Sequence, residues 1–335
     1  MKIRILSDLH LDINKDYNLD LHKNGANDVF TLIAGDICGD PRKTIEWIKK
    51  NVHQGGFCCG NHLVYNDRKM AIEDLKNELH EAFPLNSNIT FFDNDVGVIS
   101  KEIDDGILLV SDVLYTDYKL KINGFNERGS TRVNMMAAEP KFSGSYMNDF
   151  VWGYTKKKMY KKEPWSKKYE PENLWHLRTK YYKNHFDKAF KKITEIVENN
   201  TDKQIILMSH HCLSENCISD EFTHNSLNGS YVSPKDKWIK DHPNIKLVIS
   251  GHVHFRTSFN VGNALYVLNP LGYCRDTYKQ YNQKTNKWDV WTPNCFVDTD
   301  TDTWKLTYED WDHKEWDDIY DEYNKSFLKY SSAFI

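Results

Sequence analysis

Three observations predict an α/β fold for this 335-residue chain. Strand-like apolar runs alternate with helical periodicities at its start and again in its last third. Five of those runs stop abruptly at Gly, Asp, Asn or His, as strands do where they feed exposed loops. The composition, 40 % hydrophobic and 27 % charged, is that of a globular protein with enough chain for a substantial core.

The elements follow in order. Residues 2–7 (KIRILS) read as a strand that ends at Asp8-Leu9-His10, and residues 29–34 (VFTLIA) as one that ends at Gly35-Asp36. Pro41 opens a helix carrying Ile45, Ile48 and Val52. A short apolar piece then stops at Gly60-Asn61-His62, and 67–82 is helical, with Met70, Leu75 and Leu79 on one side. ITFFDN and GVISKEI are short strands, and 107–117 is a stronger one. From about 119 to 170 the chain turns polar, aromatic and turn-rich, which reads as a cap-like insertion. Residues 171–199 form an amphipathic helix through Leu174, Leu177, Tyr181, Phe186, Phe190, Ile193 and Val197, with Pro171 near its start. The last third repeats the opening: 204–209 ends in His210-His211, 245–250 ends in Gly251-His252-Val253-His254, and 264–270 is a further strand. Residues 1–295 are expected to form one domain. Residues 296–335, a strand (WKLTY) and an acidic, Trp-rich surface helix at 308–323, are expected to pack on it.

Bulk properties narrow the functional classes. A formal net charge of −4 argues against a basic coat for wrapping nucleic acid. Seven Cys without a CxxC pair read as reduced thiols. No run approaches a membrane span, and the N-terminus lacks the pattern of a signal peptide. The expected location is the cytoplasm, or a host's cytoplasm if the chain is phage-encoded, as its wealth of Lys, Asn, Asp and Tyr suggests.

The strand ends carry the chemistry. In α/β folds, ligands gather beyond the carboxyl ends of strands, so DLH, GD, GNH, HH and GHVH would converge on one site. Imidazole with carboxylate suits Mn²⁺, Fe, Zn²⁺ or Ni²⁺ better than Ca²⁺, which prefers oxygen alone. Two such cations can share a carboxylate and acidify a bound water.

These blocks, Asp8-x-His10, Gly35-Asp36, Gly60-Asn61-His62, His210 and Gly251-His252-x-His254, resemble those of the calcineurin-like metallophosphoesterases, in the same order over residues 3 to about 275. LYTDY (114–118), SHHCLS (209–214), LNGSYVS (227–233) and NPLGY (269–273) resemble a cytosolic and phage-type bacterial branch. The resemblance implies a four-layer α/β/β/α sandwich of two mixed sheets flanked by helices. It implies two divalent ions, Mn first and Fe, Ni or Zn as alternatives. Asp8, His10 and His254 would hold one ion and Asn61, His210 and His252 the other, with Asp36 bridging. His62 would contact the phosphate and protonate the leaving oxygen, and His211 would sit behind the ligands or against substrate. The reaction implied is attack of a metal-bridged hydroxide on phosphorus. Two departures stand out: Leu63 replaces an acid after the GNH block, and Gly39, followed by Asp40, stands where an acid partner of the catalytic His is often found. The second tilts the expectation toward diesters.

The expected substrate is a small phosphodiester or nucleotide. A DNA or RNA nuclease comes second and a phosphoprotein phosphatase third, since GDxVDRG is absent; a catalytically silent metal-binding module is the remaining alternative. His22, His53, His80, His176, His185, His224, His242 and His313 are read as surface or core residues, and Asp12 and Asp40 as loop acids. Seven Lys within residues 156–168 read as a solvated loop; the sharper alternative is a phosphate-attracting flap with Tyr160 and Trp165.

Overall fold

A computed structural model describes residues 1–22, 29–65, 68–140, 146–157, 174–282, 287–300 and 303–331. Of the lysine-rich stretch 156–168, residues 158–168 with Tyr160 and Trp165 lie outside these residues, as does Pro171. In chain order the strands are β1 Lys2–Leu6, β2 Phe30–Ala34, β3 Gly55–Cys58, β4 Ile89–Phe92, β5 Ser100–Asp104, β6 Ile107–Asp112, β7 Tyr154–Thr155, β8 Trp175–His176, β9 Gln204–Ser209, β10 Ile245–Ser250, β11 Thr257–Val261, β12 Ala264–Leu268, β13 Lys279–Asn282, β14 Lys287–Val290, β15 Cys295–Asp298 and β16 Lys305–Tyr308. The helices are α1 Pro41–Asn51, α2 Ile72–Ala82, α3 Glu127–Ala138, α4 Asp149–Trp152, α5 Thr179–Asn199, α6 Asp236–Asp241, α7 Cys274–Thr277 and α8 Lys314–Ser331.

Two six-stranded sheets, β16-β15-β1-β2-β3-β4 and β11-β12-β10-β9-β6-β5, face each other. In the first sheet β1 to β4 run parallel out to the β4 edge, and β15, antiparallel to both β1 and β16, extends the sheet on the other side; in the second the parallel strands β6, β9, β10 and β12 lie between antiparallel β5 and β11. Parallel strands covered on both faces must be apolar throughout, which is why FTLIA and IKLVIS are unbroken apolar runs. Ile3, Ile5 and Leu32 of the first sheet meet Leu109, Ile206, Leu247 and Val267 of the second in a buried middle layer. Outside the first sheet, α1 and α2 set Ile48, Leu75 and Leu79 against Ile33, Phe57 and Phe91. Outside the second, α5 and α6 set Ile193, Val197 and Ile239 against Val110, Leu207 and Val248. The architecture is therefore the four-layer α/β/β/α sandwich. No helix among the described residues is long and apolar enough to cross a membrane.

Several boundaries differ from the sequence reading. Asp40 is not merely a loop acid: it caps α1, accepting the Arg42 amide at 3.0 Å, ahead of Pro41. Helix α2 starts at Ile72 rather than 67, and α5 at Thr179 rather than 171, because Trp175–His176 pair with β7 as a short strand. β6 ends at Asp112; beyond it Leu114 and Tyr118 take φ of 39° and 58°, which no strand accommodates. Helix α3 was not foreseen, since Ser130 and Asn134 stand at its buried positions where a periodicity search expects apolar residues. Past 295, β15 pairs antiparallel with β1, and Trp311 and Trp316 are buried against Trp291.

Candidate metal centre

The carboxyl ends of β1, β2, β3, β9 and β10 open onto one edge of the sandwich, and there the two sheets are spliced. Ser7 bridges to Pro270, Asp8 N–H donates to Gly35 O at 3.1 Å, Gly272 N–H to Asp8 O at 2.9 Å, and Gly251 N–H to His210 O at 3.0 Å. These bonds hold an unusual backbone. Asp8 (φ 52°), His10 (44°), Asp36 (50°), His252 (71°) and His254 (50°) are all left-handed. Such residues cost on the order of 1–3 kcal/mol each, persist only where the surroundings enforce them, and cluster at functional sites. Five of the seven candidate ligands share this conformation. Two glycines make the remaining room: a Cβ at Gly60 would lie 2.0 Å from Asp36 Oδ1, and one at Gly251 2.4 Å from Asp8 Oδ2. The Gly before Asn61 and the Gly before His252 thus let a buried carboxylate come up against the main chain.

The donors fall into overlapping groups whose atoms lie within 4.8 Å of one another: Asp8, His10 and His254; His10, Asp36 and His62; Asp36, His210 and His252. Asn61 joins the last, its Oδ1 3.0 Å from His210 Nε2. Asp36 stands between the two ends, Oδ2 being 3.2 Å from His210 Nε2 and 4.0 Å from His10 Nε2. Its Oδ1 accepts the His62 amide at 2.9 Å. Asp8 Oδ1 accepts the His252 amide at 2.8 Å and lies 3.6 Å from His254 Nε2.

This donor set fits cations. His10 Nε2 and His254 Nε2 face each other at 2.9 Å. Two nitrogens bound to one ion at about 2.0–2.1 Å each would stand roughly 3 Å apart. Burial, reinforced by neighbouring imidazoles, holds His10, His252 and His254 below the usual histidine range, so they are neutral, which is the ligating form. His252 Nε2 is buried with no hydrogen-bond partner among the described residues, a cost that a bound ion would remove.

His210 behaves differently. Burial disfavours its charged form, but the Asp36 carboxylate more than offsets this and holds it at about 9. Burial likewise opposes ionisation of Asp36, yet His210 and His62 keep its carboxyl well below the usual range. At neutral pH the metal-free protein therefore carries a proton on His210 that must leave before Nε2 can ligate. Apparent affinity for the Mn²⁺ ion that His210 would hold is expected to rise about tenfold per pH unit from neutrality toward about 9, then level off, as one proton is released when that ion binds. Calorimetric titration across that range checks this; a flat profile would contradict the pairing.

Around the donors lie residues that the sequence reading did not single out for the site. Tyr273 Oη is 3.3 Å from His62 Nε2, and its ring flanks His10 and His254 at 4.9 and 4.7 Å. Tyr65 packs 4.3 Å from the His62 ring, and Tyr231 4.8 Å from His252. Tyr273 closes the NPLGY block, and that position was its only signal. His211 is buried 4.1 Å from the His252 ring, with Nδ1 lacking a hydrogen-bond partner among the described residues. Leu63 is a core residue. Asp12 comes close to Gly39, where an added Cβ would meet its Oδ2 at 3.1 Å.

A second acidic group, Asp93, Asp95 and His185, shares no residue with these donors. Buried Lys76 bridges Asp93 and Asp95 at 2.8 and 2.9 Å, and His185 bonds Asp112 at 2.8 Å, so its charges are already matched within the protein.

No protein-family model and no curated protein matches the sequence. Among solved structures, the fold is similar to a phosphopantetheinyl hydrolase from Mycobacterium tuberculosis, with a TM-score of 0.57 and 15 % identity over 82 % of this chain and 90 % of that one. A Staphylococcus aureus protein provisionally named a 5′-nucleotidase, in complex with alpha-ketoglutarate, gives a TM-score of 0.43 and 9 % identity over 92 % of this chain and 55 % of that one. The first of these likenesses shows the fold alone: this chain shares the layered α/β architecture of that hydrolase.

Proposed function

We infer that this protein is a dinuclear metal-dependent phosphoesterase acting on a small phosphodiester or nucleotide-type substrate. The observation that carries the reading is the convergence of Asp8, His10, Asp36, Asn61, His210, His252 and His254 from five strand ends on one edge. Asp8, His10 and His254 would hold one divalent ion, Asn61, His210 and His252 the other, and Asp36 would serve both. When bound, the ions would acidify a water toward neutral pKa and polarise the phosphoryl oxygens.

The chain's own residues supply the rest. Asp36 is aimed by the His62 amide, so its second oxygen turns toward His10 and His210. His62 presents Nε2 beside Tyr273 Oη, where a proton can pass to a leaving oxygen. The tyrosines at positions 231 and 273 are only partly buried and offer phenol rings to the substrate. His62 and His252 are at most 9 % exposed, and their burial supports a small phosphoester over a duplex or a folded protein. Gly39, in place of an acid partner for His62, supports diesters over monoesters.

Purified protein loaded with Mn²⁺ is expected to hold about two ions per chain and to hydrolyse bis(nitrophenyl) phosphate faster than nitrophenyl phosphate. His252→Ala should lose one ion and most of the turnover. Undiminished turnover in that variant would end this reading.

A further inference from the structure

Asp149 is a fully buried acid with no task in the reaction described above. It begins α4, in the segment between β6 and α5. Its carboxylate accepts two phenol protons, from Tyr65 Oη at 2.8 Å and from Tyr182 Oη at 2.9 Å. Tyr65 follows the turn that carries Asn61 and His62, and its amide donates to His62 O at 2.8 Å. With its O–H donated to Asp149, the Tyr65 oxygen is left to accept. What it accepts is the Asn61 amide, Nδ2 to Oη at 3.4 Å.

The consequence lies in asparagine's asymmetry. The two ends of its side chain are nearly equal in size and opposite in polarity. With Nδ2 tied to Tyr65, Oδ1 points inward, 3.0 Å from His210 Nε2. Only that end offers a lone pair to a cation; the flipped amide would present two N–H protons to it. The Tyr65 ring also lies 4.3 Å from that of His62, so the same residue backs both members of the Asn61-His62 pair.

We propose that Asp149 and Tyr65 form a positioning relay that locks the Asn61 amide with its oxygen toward the metal centre. The relay rests on the metal-centre reading above and assigns the segment between β6 and α5 a part in metal binding. Neither Asp149 nor Tyr65 reaches a reacting atom. They act through Asn61, as outer partners of metal ligands do, and such partners typically carry 10–100-fold in metal affinity.

The test is Mn²⁺ binding by calorimetry, with no substrate present. Tyr65→Phe removes one oxygen and keeps the ring. It should weaken one of the two Mn²⁺ equivalents by about 10–100-fold while circular dichroism stays native. Asp149→Leu, of similar volume and with no acceptor, should move the same equivalent in the same direction, because the freed Tyr65 O–H competes with Nδ2. The decisive arm is Asn61→Asp, whose two side-chain ends are both oxygen and need no orienting. In that background, adding Tyr65→Phe should change affinity by less than about threefold. Wild-type affinity in Tyr65→Phe, or an equal loss in both backgrounds, overturns the relay and leaves the phosphoesterase reading standing. A wild-type protein that takes up no Mn²⁺ overturns both.

Discussion

Asp36→Asn is expected to cut phosphoester turnover by about 10³-fold or more and to empty both ion positions without unfolding the protein. Asparagine keeps the volume of the side chain and can still accept the His62 amide that Asp36 Oδ1 accepts at 2.9 Å. What it loses is the charge between the two donor groups. Lewis-acid stabilisation by bound ions is worth several kcal/mol, and each 1.36 kcal/mol is tenfold in rate, so a loss of three decades is a modest expectation. A second consequence separates this account from simple damage. His210 is held at about 9 chiefly by Asp36, against the pull of burial. Without that charge, burial should take the imidazole below its usual range, and it should become neutral at physiological pH. Histidine titration by NMR on metal-free protein reads this directly. A variant that keeps both ions, or whose His210 still titrates near 9, would sink the role given to Asp36.

Much of this site was legible in the sequence because its polar donors follow directly on apolar strands. FTLIA and IKLVIS read as buried strands because both faces are covered, and the residues after them, Asp36, His252 and His254, have no apolar function to confuse the reading. What the sequence could not convey is the left-handed backbone at Asp8, His10, Asp36, His252 and His254, since no residue type marks it as glycine would. Tyr65 and Tyr273 were hidden for a different reason. The chain has 19 Tyr, most of them with ordinary packing roles, and only the fold brings these two against His62. Asp149 lies in a stretch without periodicity, 88 positions after Asn61 (149 − 61), and nothing local connects the two. Helix α3 was missed because its buried face carries Ser130 and Asn134, whose side chains bond nearby loop backbone instead of filling a core. Convergent polar chemistry at strand ends is a local signal, whereas the residues that orient it are set by tertiary contact.

Replacing His62 should separate proton transfer from metal binding. Its side chain stands within the reach of Asp36 and His10, yet its Nε2 meets Tyr273 Oη at 3.3 Å, and only its backbone amide is committed to Asp36. His62→Ala keeps that amide, so Asp36 stays aimed and both ions should remain. What disappears is the group that can give a proton to the departing oxygen. General acid catalysis contributes about 10²–10⁴-fold, and the benefit grows as the leaving group becomes more basic. A methyl phosphodiester, which must expel an alkoxide, should therefore lose the full 10²–10⁴-fold. A nitrophenyl diester, whose phenolate departs without help, should lose about tenfold or less. The ratio between the two losses is the measurement, taken alongside metal content. Equal losses on both substrates would show that His62 only binds the phosphate, and loss of an ion would place it among the ligands. A steep dependence on leaving-group basicity, with both ions retained, fits only a proton donor positioned where Tyr65 and Tyr273 hold this imidazole.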